Sequence, residues 1–234
     1  MFLLLSTSNI KTQKGIKLGY ATYILHLAPA DLSGVINTCP KATLGCKMGC
    51  LNTAGHGGMY TEIEDSVVQQ ARIRKTKWFA TGRESFLEAL VYDIERAIKQ
   101  ATKKGLIPVF RLNGTSDLSW EKYKLNGMNI FQHFPTVQFY DYTKVLGRKV
   151  DHIHNYHLTF SRGETNQADV DAAIAADMNV AYVFDKTPAT YDNMTVFDGD
   201  DTDLRFLDPQ GVIVGLKAKG RARKDTSGFV IRTK

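Results

Sequence analysis

Short β-branched and aromatic runs alternating with helical stretches predict an α/β protein. The expected form is one domain over residues 1–234, an irregular or partial (β/α) TIM-like barrel. Three observations carry that expectation. Seven strand-like segments recur with a helix or loop between them. Polar and charged residues follow the strands. All three cysteines of the 234-residue chain fall within positions 39–50, directly after the first strand. A strand that feeds its chain straight into a binding loop is the arrangement of barrel proteins, whose sites lie at the carboxyl ends of the strands.

Taken in order, residues 1–19 are polar and lysine-bearing, with Gly15 and Gly19 as turn points, and predict an N-terminal arm or hairpin. Residues 20–27 (Tyr-Ala-Thr-Tyr-Ile-Leu-His-Leu) form the first strand, stopped at Pro29. Residues 62–79 read as a helix with acidic residues first and basic ones last, as the helix dipole favours. Residues 83–104 are a clearer helix: Phe86, Leu87, Leu90, Ile94, Ala97, Ile98 and Ala101 recur at helical spacing, and Gly105 ends it. These apolar positions are expected to be core. Strands follow at 107–112, 136–140, 156–160, 180–184, 194–197 and 212–216, with helical stretches at 120–128, 143–147 and 167–177. Apolar strands alternating with helices favour a parallel sheet.

Composition narrows the class. Hydrophobic residues make up 43% and aromatics 10%, ample for a large core, and the mean hydropathy is −0.24. No stretch approaches the length of a membrane span, and Met1-Phe2-Leu3-Leu4-Leu5 is too short for a signal-peptide core, so no membrane contact is expected. Without cysteines outside the one loop there is no disulfide framework, which points to a reducing, cytoplasmic compartment. A net charge of +6 and a pI near 9.1 favour anionic partners, nucleic acid among them.

The loop itself, Cys39-Pro40-Lys41-Ala42-Thr43-Leu44-Gly45-Cys46-Lys47-Met48-Gly49-Cys50, has the chemistry of an inorganic site. Pro40, Gly45 and Gly49 bend the backbone so that N–H groups can reach the sulfurs. A structural zinc wants four closed ligands, and His56 would complete a Cys3His set. An iron–sulfur cluster is the preferred reading, with three thiolates leaving one iron open to a small molecule. A disulfide would pair two cysteines and strand the third.

Reading off the residue past each strand gives Arg111, Asn113, Thr115, Ser116 and Asp117, then Asp141, Tyr142, Thr143 and Lys144. Ser161, Arg162, Glu164 and Asn166 follow the next strand, then Asp185 and Lys186, Asp198 to Asp203, and Lys217 with Lys219. In a barrel these converge on the mouth that holds the cysteines. Arg111, at the last position of a buried strand, requires an anionic partner. The acidic turn at 198–203 lacks the full calcium-loop pattern and reads as surface. His152, His154 and His157 precede a strand, which places them at the opposite end from the cysteines. The basic tail Lys217, Lys219, Arg221, Arg223 and Lys224 has no interleaved aromatics, so it is a weak nucleic-acid signal.

Several longer motifs carry a resemblance. They are Leu27-Ala28-Pro29-Ala30-Asp31-Leu32-Ser33-Gly34, Phe110-Arg111-Leu112-Asn113-Gly114-Thr115-Ser116-Asp117, and Phe139-Tyr140-Asp141-Tyr142-Thr143-Lys144. With Phe206-Leu207-Asp208-Pro209 and Gly215-Leu216-Lys217-Ala218-Lys219-Gly220, the chain resembles the phage gene product 88 family from about Ser8 to Val230. More loosely, three cysteines after a first strand resemble the radical S-adenosylmethionine enzymes, whose pattern is C-x3-C-x2-C where this chain has C-x6-C-x3-C. That second resemblance implies a [4Fe-4S] cluster on Cys39, Cys46 and Cys50, or a [3Fe-4S] form if the open iron is lost. It also implies S-adenosylmethionine held by its amino-acid end at Asn113, Ser116 and Asp117, with Gly114 allowing close approach. The resulting expectation is a phage-encoded iron–sulfur enzyme acting in the host cytoplasm. Its small-molecule ligand would lie among Arg111, Asn113, Ser116, Asp117, Asp141 and Lys144, with no catalytic residue singled out. The contrasting expectation is a zinc- or cluster-stabilised protein that binds nucleic acid or a host protein.

Overall fold

Strands apolar on both faces, with helices too few to enclose them, set the architecture. The computed structural model describes residues 3–7, 10–59 and 62–233, apart from the side chains of residues 10–12 and 56. In chain order the first elements are β1 (Leu5–Ser6), α1 (Ile10–Ile16), β2 (Tyr20–Leu25), α2 (Leu44–Met48), α3 (Val67–Thr81), α4 (Arg83–Lys103) and β3 (Ile107–Arg111). They are followed by β4 (Lys124–Leu125), β5 (Met128–Asn129), α5 (Ile130–His133), β6 (Gln138–Thr143), β7 (Tyr156–Ser161), α6 (Gln167–Ala175) and β8 (Val180–Phe184). Last come β9 (Thr190–Tyr191), β10 (Met194–Asp198), β11 (Ile213–Lys217) and β12 (Val230–Ile231).

One ten-stranded sheet runs β1-β2-β3-β6-β7-β8-β11-β10-β9, with β12 pairing β8 off this path. The strands β2, β3, β6, β7, β8, β11 and β10 are mutually parallel, while β1 and β9 are antiparallel two-residue borders. The expected TIM-like barrel is therefore corrected to an open, mostly parallel mixed sheet. β1 and β9 lie at opposite ends of the order and do not pair with each other. Closure needs tilt and stagger carried consistently around a full ring. Here β11 inserts between β8 and β10, and a hairpin turn through Asp192 and Asn193, both at positive φ, ends the sheet at β9. Short borders of this kind are how open sheets limit edge pairing.

The sheet also splits. β7 pairs only with the start of β8 (Phe160 with Val180, Ser161 with Ala181), and β12 takes over along its end (Val230 with Val183, Ile231 with Phe184). The C-terminal strand thus wedges into the sheet on the edge where the parallel strands end.

The main core lies beneath α4, whose Phe86, Leu87, Leu90, Ile94, Ala97 and Ala101 meet Phe110, Trp120, Phe131 and Phe139. Gly105 at φ +67 turns the chain out of the helix, a conformation a β-carbon disfavours. Asp93 on the same helix is fully buried and accepts the backbone N–H groups of Leu3, Leu4 and Leu5, so it anchors β1. α3 begins later than the charge pattern suggests, because the Ser66 hydroxyl caps it by accepting Gln69 N–H at 3.3 Å. Residues 120–128 form no α-helix, only a 3-10 turn at Trp120–Lys122 followed by a hairpin. Asn126 and Gly127 both take positive φ and close the β4–β5 hairpin, after which a capping box of Asn129 and Gln132 starts α5. Residues 143–147 leave β6 and turn at Gly147. The second face of the sheet is covered by the segment around Leu204, Arg205 and Phe206. Among the described residues no helix is long and apolar enough to cross a membrane.

Candidate metal centre

The cysteine loop stands on the carboxyl edge of the parallel strands because its base is stitched to the segment that follows β3. Thr115 Oγ1 donates to Leu27 O at 2.6 Å, Thr38 Oγ1 donates to Ala28 O at 2.6 Å, and Asp117 N donates to Thr38 O at 2.8 Å. Ala30 takes φ +46 to reverse the chain before the cysteines. Farther along, Thr43 N-caps α2 by accepting Cys46 N–H at 3.3 Å. Glu164, just past β7, then grips that cap, accepting Thr43 Oγ1–H at 2.5 Å and Gly45 N–H at 2.6 Å. These bonds hold Glu164 below its ordinary carboxylate range, overcoming the burial that acts the other way. A β-carbon on Gly45 would overlap Ser227 and Phe229, so α2 lies directly on the chain leading into β12.

All three thiols are half-buried and act electrostatically on one another. Burial pushes each of them up, Cys50 to about 11, so that in the absence of a cation the protonated form is favoured. Backbone donors already face two of the sulfurs: Ala30 N–H meets Cys39, and Asn52 N–H meets Cys50 Sγ at 3.5 Å. Cys39 Sγ also lies 3.8 Å from Thr115 O and 3.9 Å from Thr38 Oγ1. Lys144 acts on Cys46 and Arg72 acts on Cys50, both favouring the thiolate. Such donors and cations suit a sulfur-rich anionic centre. Among the described residues, no three His, Cys, Asp or Glu side chains are close enough together to hold a single metal ion. The side chain of His56 lies outside the described residues.

The polar residues expected to line a ligand site are largely occupied by the protein itself. Asn113 is buried; its Oδ1 accepts Ser116 Oγ–H, Leu118 N–H and Trp120 Nε1–H, and its Nδ2 donates to Leu118 O and Asp141. Asp141 is fully buried, accepts Asn113 N–H at 2.7 Å and Tyr156 O–H at 3.0 Å, and is raised by burial to about 7. Asp117 accepts Lys144 N–H at 2.7 Å and lies 3.9 Å from Arg148. Lys144, lowered by burial, directs its ammonium to Ser161 Oγ, Ser161 O and Arg162 O. Gly114 does permit a close approach, but to β2: its N–H donates to Leu25 O at 3.0 Å, and a β-carbon would meet Ile24 and His26. Arg111 finds its anion in Asp203, 3.2 Å away, and stacks on Tyr142 at 4.8 Å. Of the six, Asp117 and Lys144 lie in the electrostatic reach of Cys46.

Elsewhere, Asp200 of the acidic turn receives Lys217 N–H and Lys219 Nζ. His154 bonds Pro135 O, and His157 lies within β7, half-buried. Arg221, Arg223 and Lys224 are exposed on a 3-10 turn packed beside α2. Two residues that sequence reasoning passes over stand by the thiols or above the adjacent strands, Arg72 on α3 and His26 just past β2. His26 continues the run of the first strand, and no local pattern separates Arg72 from the other charges of its helix; the Ala28 N–H bond to Thr76 Oγ1 seats α3 at the strand ends and brings them together.

No curated protein and no solved structure matches the chain. The motifs that run into and past these strands are matched over residues 3–233 by the family model described as Gene product 88, and the chain belongs to the gene product 88 family.

Proposed function

We propose that this is a phage iron–sulfur protein in which Cys39, Cys46 and Cys50 hold a four-iron cluster on the carboxyl edge of the parallel sheet. One iron is left open to a small molecule, and a three-iron form arises if that iron is lost. The observation that carries the reading is the shared half-buried position of the three thiols, with backbone N–H groups directed at two sulfurs and Lys144 and Arg72 beside them. A single zinc at about 2.3 Å from each sulfur gathers its thiolates to within roughly 4 Å of one another. A cluster would spread them farther apart, each on its own iron.

When bound, the cluster supplies electron transfer or polarises a ligand on its open iron. The chain's own part is to position it. Glu164 fixes the entry of α2, Thr38 and Thr115 fix the base of the loop, and Lys144 and Arg72 offset negative charge. S-adenosylmethionine is one candidate ligand, although the side-chain polar groups of Asn113 and Ser116 are used within the protein. The second reading, a metal-stabilised protein that binds nucleic acid, draws on exposed Arg221, Arg223 and Lys224 beside the loop.

Purification without oxygen, followed by iron and acid-labile sulfide analysis with visible and EPR spectra, tests the reading. Iron with sulfide, lost in Cys46→Ala while the far-ultraviolet spectrum is kept, is the expected result. Zinc without sulfide would overturn it and favour the second reading.

A further inference from the structure

We propose that the strand ends beside the thiols form a binding site for a small oxyanion that carries an adjacent O–H or N–H donor, held by Arg72, Arg111 and His26. Ile24 pairs with Arg111 across adjacent strands, Ile24 and His26 both flank Gly114, and Ala28 N–H donates to Thr76 Oγ1 at 2.8 Å, one helical turn from Arg72. The groups so placed have unused bonding capacity of complementary kinds. Arg111 uses Nη1 on Asp203, leaving Nη2 without a partner and Nε buried and unbonded among the described residues. Arg72 uses Nη1 on Asn52, leaving Nε and Nη2, and forms no ion pair with a carboxylate among the described residues. Lys75 joins them on the next helical turn, with its Nζ donating to Leu4 O at 2.7 Å.

His26 supplies the acceptor. Ser6 Oγ donates its hydroxyl proton to Ile24 O at 3.1 Å, so the 3.2 Å contact between Ser6 Oγ and His26 Nδ1 requires the imidazole to donate. The Nδ1–H tautomer leaves a lone pair on Nε2, which has no partner among the described residues. Burial first, then Arg72, Arg111 and Lys75, push His26 down to about 3, so the ring stays neutral and keeps that lone pair. Asp203 acts on His26 in the opposite sense, and it is paired with Arg111. Net positive charge from two arginines with free forks selects an oxyanion. A lone acceptor among them selects an anion that also has a proton to give. Hydrogen phosphate and α-hydroxy or α-amino carboxylates share this chemistry. In naming the molecule that would meet the open iron this rests on the cluster reading, whereas the anion site itself does not.

Calorimetric titration of the full chain, with iron content assayed on the same sample, tests the proposal. The probes are inorganic phosphate, which has an O–H at neutral pH, the near-isosteric sulfate, which has none, and lactate. Saturable binding of phosphate or lactate with about tenfold preference for phosphate over sulfate is expected, the size of one hydrogen bond to a charged group. Stronger phosphate than lactate uptake would identify a phosphate ligand, and the reverse a carboxylate; either supports the site. His26→Phe should bring the phosphate-to-sulfate ratio to about one, and Arg72→Gln should weaken both anions at least tenfold. Arg72→Lys, which keeps charge but not the fork, serves if Arg72→Gln fails to fold. Absence of saturable binding, or equal binding of phosphate and sulfate by the unmodified chain, overturns the proposal. Binding without iron would leave the site standing and remove the cluster; iron without binding would do the opposite.

Discussion

Asp141, fully buried and bonded to Asn113 and Tyr156, shows what single residues contribute to this edge of the sheet. Burial raises it from 3.8 to about 7, against the bonds from Asn113 and Tyr156 that favour its charge. The folded chain therefore prefers the protonated acid. The stabilising contribution is full below about pH 4 and is lost as the pH rises through about 7, worth up to roughly 4 kcal/mol for a shift of that size. Asp141→Asn, which mimics the protonated form, should flatten the fall in thermal midpoint between pH 4 and 8; an unchanged slope would show that another group sets it. Arg111 and Asp203 make the complementary case. Removing one member strands a buried charge, so Asp203→Ala should cost about 3–5 kcal/mol in denaturant unfolding. The double variant Arg111→Met with Asp203→Ala should recover part of that, because the desolvation of the arginine disappears with it. A double variant as unstable as the sum of the singles would show that the pair is not coupled. The need for an anion near Arg111 was legible in Val-Phe-Arg-Leu-Asn, but its partner lies 92 positions away and no local pattern names it.

At the scale of elements, α2 depends on groups far along the chain. Its start is held by Glu164, and its surface rests on Ser227, Phe229 and Ala222. Gly45→Ala places a methyl group inside that contact and should lower stability by about 1–3 kcal/mol in chemical denaturation. It should also lower metal retention, since Cys46 follows directly. Retained stability and metal would mean that α2 is not seated on β12. This seat leaves no local mark, because β12 is two residues long and carries no turn or period. The expected helix at 120–128 failed for a nameable reason: Asn126-Gly127 is a hairpin signal, and a left-handed pair stops a helix more firmly than the flanking residues promote it. The helix at 83–104 was legible, because its apolar stripe spans many turns and its capping glycine is explicit.

For the whole molecule, openness is the property to test. β6 and β7 are flanked on both sides, whereas β9 borders solvent and β10 lies next to it. Native-state hydrogen exchange should find β6 and β7 amides exchanging only through global unfolding, with β9 and β10 exchanging through smaller openings. Equal protection of β10 and β6 would indicate that the sheet is closed in solution. The split between β7 and β8, filled by β12, puts this strand on the edge that carries the cysteines, so residues 227–231 support the cysteine loop.

Local chemistry in the sequence determined the seven parallel strands, the long helix α4 and the grouping of three cysteines after the first strand, because each depends on neighbours within one or two turns of chain. Tertiary structure alone decided that the sheet stays open and that β12 enters it. It also assigned Asn113, Asp141 and Lys144 to internal bonds while leaving His26, Arg72 and Arg111 with free ones. Whether a polar side chain has bonding capacity to spare depends on partners distant in sequence, and those are fixed only when the strands take their order.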